Sequence, residues 1–67
     1  MSLEDFLHKH VLIELKDGTN VEGIIIDINN IDNYEDSIFY TTLNIRVDYN
    51  DYRLIYINEI DTIGEVK

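Results

Sequence analysis

The 67-residue chain contains no cysteine, proline, tryptophan, alanine or glutamine, and only three glycines. Without cysteine there is no disulfide to staple a small core, no thiolate nucleophile and no thiolate metal ligand. Without proline, no residue forfeits the backbone N–H that a sheet ladder needs. Positive charge is scarce as well: five Lys and Arg against fourteen Asp and Glu leave a formal net charge of −9. Such a field repels phosphate backbones at long range and argues against non-specific nucleic-acid binding. A local site remains open to it, because single-stranded bases are also read by stacking and edge hydrogen bonds. The acidity alternatively does no more than confer solubility. No signal-peptide pattern and no apolar run of membrane-spanning length is present, so a cytoplasmic protein without a membrane partner is expected. Heavy use of Ile, Asn, Asp and Tyr fits an AT-rich bacterial or phage coding sequence.

A chain this short makes a single domain, residues 1–67, and hides only about 60% of the surface its unfolded form exposes. Disulfides, a structural metal or association with other copies are the usual remedies for a core of that size. The first is excluded and no His/Cys cluster supports the second. A homo-oligomer is therefore the favoured remedy.

What is present is organised around Val11 to Asn33. Val11, Ile13 and Leu15 alternate with Glu14 and Lys16, a period of two that sends apolar side chains to one face. Asp17-Gly18 supplies the turn, since Gly tolerates the positive φ of a tight hairpin. Val21, Gly23 and Ile25 resume the alternation, and the apolar run from Ile24 to Ile28 predicts a strand covered on both faces. Gly23 in mid-strand costs stability unless the strand bends there or another backbone approaches, which marks a corner of a small curved barrel.

Ahead of this hairpin a short N-terminal α-helix is expected, with Ser2 as cap, Asp5 in the capping-box position, and Leu3, Phe6 and Leu7 on the face that packs on the barrel or a neighbour. His8 and His10 flank Lys9 and, on an extended segment, point to one side. Two imidazoles without a third donor read as surface histidines rather than a metal site. From Asp27 to Asp36 the acidic and amide residues resemble a calcium loop, but Ile31 stands at the fifth ligand position and no Glu stands at the twelfth; a solvated loop is expected. Ser37 to Asp48 reads as a third strand, with Phe39, Thr41, Leu43, Ile45 and Val47 on one face. Tyr52 to Ile57 makes a fourth strand, Asn58-Glu59 a very short connection, and Ile60 to Val66 a fifth. Five strands and one helix in this length predict an all-β fold, a small, partly open five-stranded SH3-like barrel. Ser2 and Ser37 are the only serines and neither His has an evident acid or hydroxyl partner, so no enzyme and no cofactor is expected.

The segment Phe6 to Asn33 resembles the first sequence motif of the Sm-like (LSm) family. There a V-x-V-x-L strand ends in a polar residue plus Gly, a second Gly follows five positions on, and an alternating strand closes with Asn. Gly18, Gly23 and Asn33 occupy those places. Ser2 to His8 resembles the family's N-terminal helix. Tyr56 to Ile63 is similar to the Hfq-like last turn, with Ile57 and Asn58 where that branch has Lys-His; Asn33 to Ile38 departs from the pattern. The resemblance implies an Sm-type barrel that forms a ring by pairing the fourth strand of one subunit with the fifth of the next. It also implies a pore site for single-stranded RNA, in which Asn33 reads a base, Ile31 stands at the stacking position and Asn58 at the last turn. Ile31 lacks an aromatic face and Asn58 lacks charge, and Asn33 read alone is equally a loop residue satisfying its own turn. Phosphate would have to run past the ring's multiplied negative field or enter on the face carrying Lys9, Lys16, Arg46 or Arg53.

Two rival functions stay open. One is a protein-binding or structural homo-oligomer that keeps the scaffold without RNA, using Tyr34, Tyr40, Tyr49, Tyr52 and Tyr56 at an interface; ordinary strand packing is the plainer role for these tyrosines. The other is a monomeric SH3-like adaptor.

Overall fold

The computed structural model of the chain describes residues 3–33 and 38–67, without the side chains of residues 31–33 and 38–40. Five strands follow in order: β1 (His10–Leu15), β2 (Asn20–Asn33), β3 (Ile38–Asp48), β4 (Asp51–Tyr56) and β5 (Ile60–Glu65). They form one antiparallel sheet in the order β4-β3-β2-β1-β5, with β4 and β5 as its unpaired edges. β2 is 14 residues long and serves two neighbours, pairing with β1 from Asn20 to Ile24 and with β3 from Ile24 to Asn33.

The sheet is unclosed but strongly curled. A flat sheet in this order would hold β4 and β5 four strand spacings apart, about 19 Å. Only a 3-10 turn, Ile57–Glu59, joins them, and the four residue steps from Tyr56 to Ile60 reach about 14 Å even when fully extended. The curl wraps the sheet round one core of Val11, Ile13, Val21, Ile25, Leu43, Ile45 and Ile55. The alternation expected in β1 is present, Val11 and Ile13 being buried between exposed neighbours.

The isoleucine run in β2 has a more specific basis than cover on both faces. Ile25 stands opposite Ile45 and Ile28 opposite Leu43, both partners in the core. Residues three apart cannot share a face of a regular strand, and a register shift between Ile25 and Asp27 supplies the extra residue, Ile26. This β-bulge returns the apolar side chains to the inside and bends the strand. Gly23 lies just before it. A Cβ there would sit 2.2 Å from the Arg46 carbonyl oxygen and 3.1 Å from Ile45 Cγ1, the close backbone approach for which a mid-strand glycine is needed.

Two expectations are corrected. The N-terminal segment is not an α-helix but a four-residue 3-10 turn, Leu3–Phe6. Its N–H groups bond three residues back, Leu7 to the Glu4 carbonyl and Lys9 to the Phe6 carbonyl, each at 3.1 Å. His8, with φ 66°, then reverses the chain so that its N–H reaches the Ile25 carbonyl at 2.7 Å, and too few residues remain for an α-helical ladder. Leu3, Phe6 and Leu7 do pack on the core. Ser2, the expected cap, lies outside the described residues. Second, Asp27 to Asn33 is no solvated loop, because β2 continues through it in an unbroken ladder with β3. Backbone pairing and a Thr41 Oγ1 hydrogen bond to Asn30 Oδ1 at 2.8 Å outweigh the low strand preference of Asn and Asp. Residues 34–37 of the expected loop lie outside the described residues.

Candidate nucleic-acid interface

Asn58 sits in the 3-10 turn that carries the chain from one sheet edge to the other, and it is exposed. The turn is held by the Lys16 N–H, which donates to the Glu59 carbonyl at 2.9 Å, and by the Ile60 N–H on the Ile57 carbonyl. Asn58 thereby lines an open hollow with Leu15, Lys16, Asp17 and Glu59. One ammonium faces two carboxylates there, so the hollow is negative on balance. The Asp17 carboxyl is held below the usual carboxylate range because it accepts the Thr19 N–H at 2.8 Å.

Ile31 and Asn33 lie near the end of β2, opposite Tyr40 and Ile38 of β3; their side chains are outside the description. Tyr56 of β4 stands opposite Thr42, which stands opposite Asn29 of β2. Asn58 and Ile31 each come two residues beyond that row, on either side of β3. The pairing sets Ile31 across β3 from the Asn58 turn, Asn33 lies two residues further along β2, and the Asn58 turn itself is held to Lys16 at the β1–β2 turn. The same stretch of β2 carries residues read in sequence only as part of a calcium-like acidic loop: Asn29, whose Nδ2 donates to Asp27 Oδ2 at 3.3 Å, and Asn30, whose Oδ1 accepts from Thr41. Only their amide character marked them in the sequence.

The four cations do not gather into a patch. Lys9 is engaged by Glu65 at 3.3 Å. Lys16 is at the β1–β2 turn, and Arg46 and Arg53 stand opposite Tyr52 and Ile45 respectively, hence on opposite faces of the sheet. His8 and His10 do not share an extended segment, His8 being left-handed while His10 Nε2 meets Glu22 Oε2 at 3.0 Å. Among the described residues no group of three or more His, Cys, Asp or Glu could hold a metal ion. No helix among the described residues is long and apolar enough to cross a membrane.

Of the described tyrosines, Tyr49 in the β3–β4 turn is 86% exposed, and Tyr52 and Tyr56 of β4 are 55% and 41% exposed. The side chains of Tyr34 and Tyr40 lie outside the described residues. Leu54 of β4 and Ile57 of the turn that follows it are exposed apolar side chains as well. No family model, curated protein or solved structure significantly matches the chain.

Proposed function

We propose that the chain is a subunit of an Sm-like ring, an SH3-like barrel in which single-stranded RNA binds at the pore through Asn33, Ile31 and Asn58. The observation that carries this reading is the strand order, whose two unpaired edges are β4 and β5, the strands that the family resemblance pairs between subunits. Pairing them buries ladders of unsatisfied N–H and C=O groups and covers the exposed β4 side chains, which otherwise invite aggregation. The close backbone approach at Gly23, which stands in the place of the family's second glycine, supports the same reading. RNA recognition there works by stacking and hydrogen bonding against an unfavourable field.

A second reading has its own support. Exposed tyrosines and scattered cations suit a ring that binds protein or serves as a scaffold, without RNA. Native mass spectrometry of the protein, purified without nuclease, separates the two. A discrete ring carrying nucleotide mass supports the RNA reading; a bare ring supports the scaffold; a monomer overturns both and returns the chain to a lone adaptor.

A further inference from the structure

We infer that β4 of one copy joins β5 of the next in a single antiparallel register, the one that sets Leu54 opposite the partner's Gly64. This rests on the assembly reading above and adds what selects the pairing. Tyr52, Leu54 and Tyr56 project from the outer face of β4, on the side opposite the buried Ile55. The corresponding face of β5 is nearly bare. It carries Thr62 and Gly64, and a Cβ at Gly64 would meet no atom within 4 Å. Leu54 is 55% exposed and Leu12, the β1 partner of Gly64, is 44% exposed. A bulky edge and a notched edge of the same chain complement one another, and the occupant of each is a second copy.

Charge chooses among the registers. A slip of one residue would turn inward side chains outward, so only slips of two keep the faces matched. With Leu54 opposite Gly64, antiparallel counting sets Arg53 opposite Glu65, Asp51 opposite Lys67 and Ile55 opposite Ile63. Sliding to Tyr52 opposite Gly64 puts Asp51 against Glu65 and Ile55 against Asp61. Sliding the other way, to Tyr56 opposite Gly64, puts Arg53 against Lys67 and Ile55 against Glu65. Like charges directly opposite are destabilising, opposite charges and apolar pairs are stabilising, and of these three registers only the first gives Asp51, Arg53 and Ile55 of β4 a compatible partner each. The parallel placement that keeps Ile55 on Ile63 brings Asp51 beside Glu59. Glu65 already holds Lys9 at 3.3 Å, and its carboxylate has acceptor sites left for a partner's Arg53.

Because the chain has no native cysteine, paired substitutions report the register directly. Adjacent cross-strand pairs alternate between hydrogen-bonded and closer, non-hydrogen-bonded types. One of the double variants Leu54→Cys with Gly64→Cys, or Arg53→Cys with Glu65→Cys, therefore places its sulfurs within disulfide reach. The full-length variants are oxidised, run under denaturing conditions, and compared with native masses of the unsubstituted chain. The inference expects an oligomer in which at least one of these pairs gives a covalent ladder, while the shifted pairs Tyr52→Cys with Gly64→Cys and Arg53→Cys with Ile63→Cys stay at single-chain mass. An oligomer that links through the shifted pairs, or through none, overturns the register and leaves the ring reading standing. A monomeric native mass overturns both.

Discussion

A Cβ at Gly23 would lie 2.2 Å from the carbonyl oxygen of Arg46, closer than side-chain and backbone atoms can approach. β3 crosses the bent part of β2 at this point, and the obstacle is backbone, which cannot rotate away. Gly23→Ala must separate the strands or straighten the bend, and overpacking of this kind costs about 3 kcal/mol. Gly18→Ala meets no steric obstacle but must keep φ at 91°, a conformational penalty of about 1–2 kcal/mol. Urea unfolding at one fixed protein concentration should rank Gly23→Ala as the more damaging; the reverse order would contradict the close approach.

His8 supplies a second backbone test. Its φ of 66° is left-handed, and both its N–H and the Lys9 carbonyl are committed to Ile25, so the chain cannot relax without losing the attachment of the N-terminal turn. A β-branched residue suits this conformation worst. His8→Val should lower stability by about 1–2 kcal/mol while His8→Asn stays near neutral. Thermal unfolding of the two variants checks this, and equal midpoints would count against it.

Much of this was readable from the chain, and the parts that were not have physical causes. The alternation of Val11 and Ile13, the Asp17-Gly18 turn and the need for space at Gly23 are local signals, and each reappears in the sheet. The continuation of β2 through Asn29 and Asn30 is not local: their own preference is for turns, and the ladder with β3 overrules it. The same holds for the N-terminal turn, whose 3-10 form follows from where Ile25 stands rather than from its capping residues. Thr42 is the clearest surprise. It shares the face of Asn44 and Arg46, yet is 1% exposed, between Asn29 and Tyr56 in the register, neighbours that no inspection of β3 alone reveals. At the candidate site, the two-residue intervals from Asn29 to Ile31 and from Tyr56 to Asn58 became meaningful only once the register was known.

Asp17 gives a prediction in pH. Its carboxylate accepts the Thr19 N–H, which holds the folded-state pKa below the ordinary value. A depressed carboxyl pKa contributes stability that is fully present above the unfolded value, near 3.9, and is lost as pH falls through the lower folded value. The turn should therefore be indifferent to pH near neutrality and loosen only in acid. Followed by NMR, the Thr19 amide shift should titrate with a midpoint below that of an unstructured Asp peptide. In Asp17→Asn the amide oxygen still accepts the hydrogen bond, and the acid transition should disappear.

The proposed RNA site makes a demand that a scaffold does not. Asn33 closes β2, and Asn58 stands exposed in the last turn. Asn33→Ala with Asn58→Ala removes amide groups proposed to read bases while leaving the β4 and β5 edges intact, so the oligomer's native mass should not change beyond the substitutions. Each hydrogen bond lost to a base is worth about 1 kcal/mol or more, and a ring repeats the loss in every subunit. Affinity for short single-stranded RNA, measured by fluorescence anisotropy at fixed salt, should fall at least tenfold. Unchanged affinity in an intact ring would remove the pore site. If the unsubstituted ring binds no RNA at all, the exposed tyrosines of β4 and its adjoining turn become the surface to probe.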